Sequence, residues 1–251
     1  MDKKTARLGA LALGEGSAAV CAPVMGRSVG EIAACAAAAK EAGADMIELR
    51  IDSLAPCPDA ELAAQAIAAA KAASGLPLLF TLRTVRDGGP GTGDAAAYEA
   101  LLLAAVKANG CDGIDCELSV GEAAFSRIAR AAHEESVCVF ASAHEFGRLG
   151  DPARIARWYA QGEKLGADVC KAAVMADSGE EALAAALEMA RAGGRLGVPH
   201  IAIVMGRHGV FTRVCCGVTG SCLTFASAGQ ASAPGQLDVK SVRQMLRRLG
   251  E

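Results

Sequence analysis

Aromatic residues are scarce, with one Trp, two Tyr and six Phe in 251 residues, and charge is nearly balanced at 25 Lys and Arg against 28 Asp and Glu. Nucleic-acid binding needs a basic surface and stacking rings, so that class of partner is excluded and a small molecule is expected instead. No run of 18 apolar residues is present, so no membrane span is expected. Cysteine is not lacking, at positions 21, 35, 57, 111, 116, 138, 170, 215, 216 and 222. What is missing is a CxxC pair or a His at zinc-finger spacing, so these thiols are expected to be small buried hydrophobes in a reducing cytoplasm. Lys3, Lys4 and Arg7 ahead of Leu8 to Leu13 have the outline of a signal peptide. Gly9 and the early Gly14-Glu15-Gly16 break that outline. There is no low-complexity tail and no Pro/Ser-rich linker, and a 52% hydrophobic composition is incompatible with disorder. Residues 1–251 are therefore expected to form one domain.

Short β-branched or Leu-rich runs alternate with longer Ala-rich segments of helical periodicity. Strands are expected at Ala18 to Val24, Asp45 to Asp52, Leu76 to Arg83, Gly113 to Leu118, Ser136 to Ser142, Ala167 to Ala172, Pro199 to Val204 and Cys222 to Ala226. Helices are expected near 28–42, 58–74, 94–108, 121–135, 151–165, 178–193, a short one near 206–215, and 238–249. Eight βα units in this length predict a parallel (β/α)8 TIM barrel. An open doubly wound sheet is the alternative, but no GxGxxG follows the first strand. Residues 8–16 are expected as a small hairpin capping the bottom of the barrel.

In a barrel one strand parity faces the helices and the other faces the interior. Glu48-Leu49-Arg50-Ile51-Asp52 sends Leu49 and Ile51 one way and three ionisable groups the other. Unpaired buried charge is costly, so those groups require an internal network or a ligand. Arg83 ends strand three, and Asp115 and Glu117 alternate likewise on strand four.

Lys40, Lys71, Lys107 and Lys164 each precede a helix-ending Gly, where a cation complements the helix dipole. Lys171 has no such explanation. At the end of an interior strand its stem can pack while its head reaches water. Alternatively, apolar neighbours can deprotonate it, leaving an amine able to attack a carbonyl. Of the four histidines, His133 near a helix end and His200 at a strand start read as structural. His144 stands at the carboxyl end of strand five, where barrels do chemistry, and can move protons near neutral pH. His208, in Gly206-Arg207-His208-Gly209, is the second choice. Arg213 suits a substrate carboxylate. The loop Ala231-Ser232-Ala233-Pro234-Gly235-Gln236 is either an ordinary βα connection or a cover for the site, with Ser232 and Gln236 as hydrogen-bonding groups.

Taken together, these segments resemble type I 3-dehydroquinate dehydratase from about residue 18 to 249. Glu48-Leu49-Arg50-Ile51-Asp52 carries the resemblance, with Phe80-Thr81-Leu82-Arg83 and Asp87-Gly88-Gly89, Ser142-Ala143-His144-Glu145-Phe146, Lys171-Ala172-Ala173-Val174-Met175, and Arg213 through Gly220-Ser221 to the loop ending at Gln236. The resemblance implies a homodimeric barrel lyase of the shikimate route, without metal or organic cofactor, that dehydrates 3-dehydroquinate through a lysine imine. It implies Lys171 as the nucleophile, His144 as general acid and base, and Arg213 as carboxylate holder. Glu48, Arg50, Arg83, Ser232 and Gln236 would bind the substrate's oxygens, and Met205 would line the pocket. Asp87 and Asp115 would be supporting residues, Asp87 standing where the family usually has Glu. A class I aldolase would also place a lysine on strand six but would need a phosphate site near strands seven and eight. A non-catalytic ligand-binding barrel is the reading outside the enzymes.

Overall fold

A computed structural model describes residues 4–55, 58–229 and 232–250. An antiparallel hairpin, β1 (Ala6–Leu8) and β2 (Leu11–Leu13), precedes eight parallel strands: β3 (Ala19–Val24), β4 (Met46–Arg50), β5 (Leu78–Thr81), β6 (Gly113–Glu117), β7 (Cys138–Glu145), β8 (Val169–Met175), β9 (His200–Met205) and β10 (Leu223–Phe225). The helices between and after them are α1 (Val29–Ala42), α2 (Ala60–Ser74), α3 (Ala95–Lys107), α4 (Glu122–Glu134), α5 (Ala153–Lys164), α6 (Gly179–Gly193), α7 (Cys216–Thr219) and α8 (Val239–Leu249). Strand order runs β10-β3-β4-β5-β6-β7-β8-β9, and a parallel bridge from His200 to Ser221 brings the two ends together, giving the expected TIM barrel. Local chemistry explains the helix starts. Ser28, Asp59, Asp94, Ser178 and Asp238 each accept a backbone N–H of the first turn.

The alternation read from the sequence matches the packing. Ile47, Leu49, Ile114, Cys116, Val139, Ala141, Ala172 and Val174 face the helices in one continuous core. The opposite parity fills the barrel, and its character changes with height. Met46, Leu79, Phe140, Val169, Ile201 and Leu223 form an apolar lower plug, whereas Glu48, Thr81, Asp115, Glu117, Ser142 and Lys171 lie above it, all buried.

Three expectations are corrected. The hairpin begins two residues earlier than expected, because Leu8 and Leu13 are its inward anchors, both joining the lower plug. Truncating Leu8, which is fully buried, should lower stability by about 2–5 kcal/mol. Denaturant unfolding of Leu8→Ala measures this, with catalysis at low temperature unchanged. The helix expected near 206–215 is a 3-10 turn, Val210–Arg213, followed by α7. The strand expected at Asp45 to Asp52 ends at Arg50 as β4, so Asp52 lies in a 3-10 turn, Ile51–Ser53, and does not continue the inward row.

Candidate active site

Adjacent carboxyl ends of the strands meet in a cavity of about 620 Å³ including its mouth. All nine residues expected to act on or bind a substrate line it: Glu48, Arg50, Arg83, His144, Lys171, Met205, Arg213, Ser232 and Gln236. Asp87 and Asp115, the supporting pair, stand behind His144 and Lys171. His208 does not line this cavity and instead accepts from Arg207 Nε. A wider cleft of about 1430 Å³, open to solvent, lies at the amino ends of the strands. His200 lines it, but that ring is structural, with Nε2 2.9 Å from the Thr219 carbonyl.

Lys171 is 4% exposed and its surroundings are acidic, not apolar as the strand's sequence neighbours suggested. Its Nζ lies 3.3 Å from Asp115 Oδ2 and 3.5 Å from Glu48 Oε1, and 4.3 Å from the centre of the Phe225 ring. The correction has a simple origin: β8 places the side chain among the inward residues of strands far away in sequence.

Asp115 organises the floor of the site. It accepts from Ser142 Oγ at 2.5 Å and pairs with Arg83 NH2 at 2.9 Å. Burial alone would push its carboxyl up, but Arg83, Lys171 and the Ser142 hydroxyl outweigh burial and hold it below the usual carboxylate range. Arg83 NH1 also donates to Glu117 Oε1 at 2.8 Å, and Glu117 accepts from the Thr84 amide and hydroxyl at 2.9 and 2.5 Å. Burial disfavours charge on Arg83, yet these carboxylates raise its pKa well above the ordinary arginine value.

His144 sits near the end of β7, with its Nδ1 2.9 Å from Asp87 Oδ2. Burial, with the nearby cations Arg83 and Lys171, holds the imidazole well below its ordinary pKa, while burial raises Asp87 against the pull of Arg83. A neutral ring donating from Nδ1 to Asp87 presents Nε2 as the free acceptor. Asp87 thus reaches the ring directly, with no intervening residue. The Phe146 ring stacks beside His144 with centroids 6.4 Å apart. It occupies the space above Gly88, whose backbone has φ +79° and where any side chain would strike that ring.

At the other end, Arg213 is 1% exposed and gives NH1 to the Phe225 carbonyl at 3.3 Å and NH2 to the Pro234 carbonyl at 3.1 Å. Among the described residues it has no carboxylate partner, and its Nε is unsatisfied. Burial lowers its pKa to about 10. Gln236 Oε1 accepts from the Ser232 amide at 2.7 Å, leaving the Gln236 Nε2 buried and unpaired. Two orphan donors at one end of a cavity call for an anionic acceptor. Ala231, part of the same loop motif, lies outside the described residues.

Sequence reasoning missed Phe225, Phe146 and Thr84. Only Phe146, inside a motif with His144, had a signal that could have pointed to it. Among the described residues no three His, Cys, Asp or Glu side chains group so as to hold a metal ion.

A parallel barrel that brings a buried lysine, a histidine and three arginines to one cavity at the carboxyl ends of its strands defines the class as a barrel enzyme. Residues 20–251 match the family model described as type I 3-dehydroquinase. The 3-dehydroquinate dehydratase of Klebsiella pneumoniae is 35% identical over 92% of this chain and 93% of that protein, and the Salmonella paratyphi B protein of the same name is 34% identical over 97% of each. Among solved structures, 3-dehydroquinate dehydratase from Geobacillus kaustophilus superposes with a TM-score of 0.93 at 30% identity, covering 98% of this chain and 96% of its own. The Clostridium difficile type I enzyme, solved with covalently modified comenic acid, gives 0.92 at 28%, covering 98% of both. The chain belongs to the type I 3-dehydroquinate dehydratase family of enzymes, whose reaction is the dehydration of 3-dehydroquinate.

Proposed function

We propose that this protein, working as a single catalytic domain, dehydrates 3-dehydroquinate to 3-dehydroshikimate in the shikimate route through an imine on Lys171. The observation that carries the reading is the Lys171 amine, enclosed in the barrel between Glu48 and Asp115 in the same cavity as His144.

Elimination of water from a β-hydroxy ketone requires loss of a proton from the carbon beside the carbonyl, which is a weak acid. As the free amine, Lys171 attacks the ketone carbon through its lone pair, and the carbonyl oxygen departs as water, carrying one proton from the nitrogen and one relayed through His144. The iminium left behind is an electron sink. His144 Nε2 takes the α proton, the electron pair moves to form the enamine, and the β hydroxyl leaves with a proton returned by the same ring. Hydrolysis frees product and amine. The sum is one C–H and one C–O bond broken, one C=C bond formed and one water released.

The substrate's carboxylate falls to Arg213 with Gln236 and Ser232, and its hydroxyl groups to Glu48, Arg50 and Arg83. Met205 supplies an apolar wall. Replacing Arg213 by Ala is expected to raise KM by about 10- to 100-fold, as loss of a hydrogen bond to a charged group implies, with a smaller change in kcat. Steady-state kinetics check this, and an unchanged KM assigns the carboxylate to another arginine. Turnover itself is tested by adding 3-dehydroquinate and following the ultraviolet absorbance of the conjugated enone product. A homodimer belongs to the same proposal, and light scattering should give twice the chain mass. A cytoplasmic setting fits the nine described cysteines, none of which is in a disulfide.

A further inference from the structure

Asp52 takes no part in the chemistry above, yet its side chain is only 1% exposed. The turn that carries it is pinned by Ser53, whose Oγ donates to the Arg50 carbonyl at 2.7 Å and accepts from the Gly26 amide at 3.0 Å. In that position Asp52 holds two strands at once. Its Oδ1 accepts from Arg50 Nε and from the Arg83 backbone amide, each at 2.9 Å, and its Oδ2 accepts from Arg50 NH2 at 2.7 Å. A two-point fork on a planar guanidinium fixes the direction of the whole group. One carboxylate therefore grips the side chain of one cavity arginine and the main chain of the other.

We propose that Asp52 is a positioning residue for the dehydration: it aims the Arg50 guanidinium into the cavity and sets the backbone from which Arg83 enters it. This inference rests on the functional reading given above. Arg50, Arg83 and Lys171 are, with Arg213, four cations around one cavity. Asp115 and Glu117 serve Arg83, and Asp115 and Glu48 serve Lys171, which leaves Asp52 as the carboxylate bonded to Arg50. Without it the guanidinium keeps its charge but loses its direction.

Asp52→Asn keeps the shape and an oxygen for the Arg83 amide while turning an N–H donor toward the Arg50 fork. The expected result is a fall of about 10-fold or more in kcat/KM, chiefly through KM, as loss of a charge-assisted fork implies. In an Arg50→Ala background the same change should cost nothing further, because the group it aims is gone. Additive losses in the double variant would overturn the proposal in favour of a merely structural carboxylate. Should Asp52→Asn not fold, Asp52→Glu, which moves the charge by one methylene, is expected to raise KM, and an unchanged KM there also overturns it. A second readout needs no turnover. The Arg50 Nε–H resonance should be protected from solvent exchange in the parent and lose protection in Asp52→Asn; equal exchange in both overturns the proposal. If the parent fails to dehydrate 3-dehydroquinate, the functional reading falls, while this measurement still decides the role of Asp52.

Discussion

Borohydride added to the protein together with 3-dehydroquinate is expected to leave a permanent adduct on Lys171, seen as a mass increase that peptide mapping places on that residue. Lys171→Ala should give no adduct, and its turnover should fall by more than about 10⁵, since attack by a held nucleophile replaces an encounter worth effective molarities of 10⁵–10⁸ M. The effect is large because the amine is already placed. It sits on a β-strand inside a closed barrel, with Asp115 and Glu48 within 3.5 Å, so little of its position has to be found during the reaction. Truncation also leaves two buried carboxylates without their cation, which destabilises the site. A thermal melt separates that cost from lost chemistry, since a folded, adduct-free, inactive variant supports the assignment. Undiminished turnover in Lys171→Ala would remove the nucleophile from the proposal.

His144→Ala is expected to keep the fold and lose about 10²–10⁴ in kcat, the range for one positioned acid and base. Imine formation should remain detectable with borohydride, because Lys171 is untouched. The pH profile gives a sharper reading. Burial, Arg83 and Lys171 depress the imidazole pKa in the folded protein, so the basic form persists below pH 6.5 and the acid limb of kcat/KM should lie on the acid side of an ordinary histidine. Stability carries the same sign. The unfolded histidine binds its proton near pH 6.5 and the folded one only at lower pH, so as pH falls from about 6.5 toward the folded pKa the unfolded state is favoured. That portion of the pH dependence should vanish in His144→Gln. An acid limb at or above pH 6.5 in the parent would contradict the buried, neutral ring.

The fold was legible because its signal is local. Glu48, Leu49, Arg50 and Ile51 alternate in side-chain direction by backbone geometry alone, and the same rule put Asp115 and Glu117 on one face of their strand. Helix starts at Ser28, Asp59 and Ser178 were equally local, each side chain capping its own first turn. Where the rule failed it failed at a strand end: the continuation of β4 through Asp52 was cut short by a turn whose anchor, the Gly26 backbone, lies 27 residues away.

By itself, then, the sequence determined which residues face the barrel interior, that too many of them are charged for an inert core, and that His144, Lys171 and Arg213 belong to one end of it. Only the tertiary structure decided what those charges meet. Lys171 is joined to Glu48 across 123 residues and to Asp115 across 56, and Arg213 is enclosed with carbonyls for company and no carboxylate. The reason is physical: periodicity sets the direction of a side chain, but its partners, solvation and charge state depend on distances between segments that only closure of the ring brings within a few ångströms.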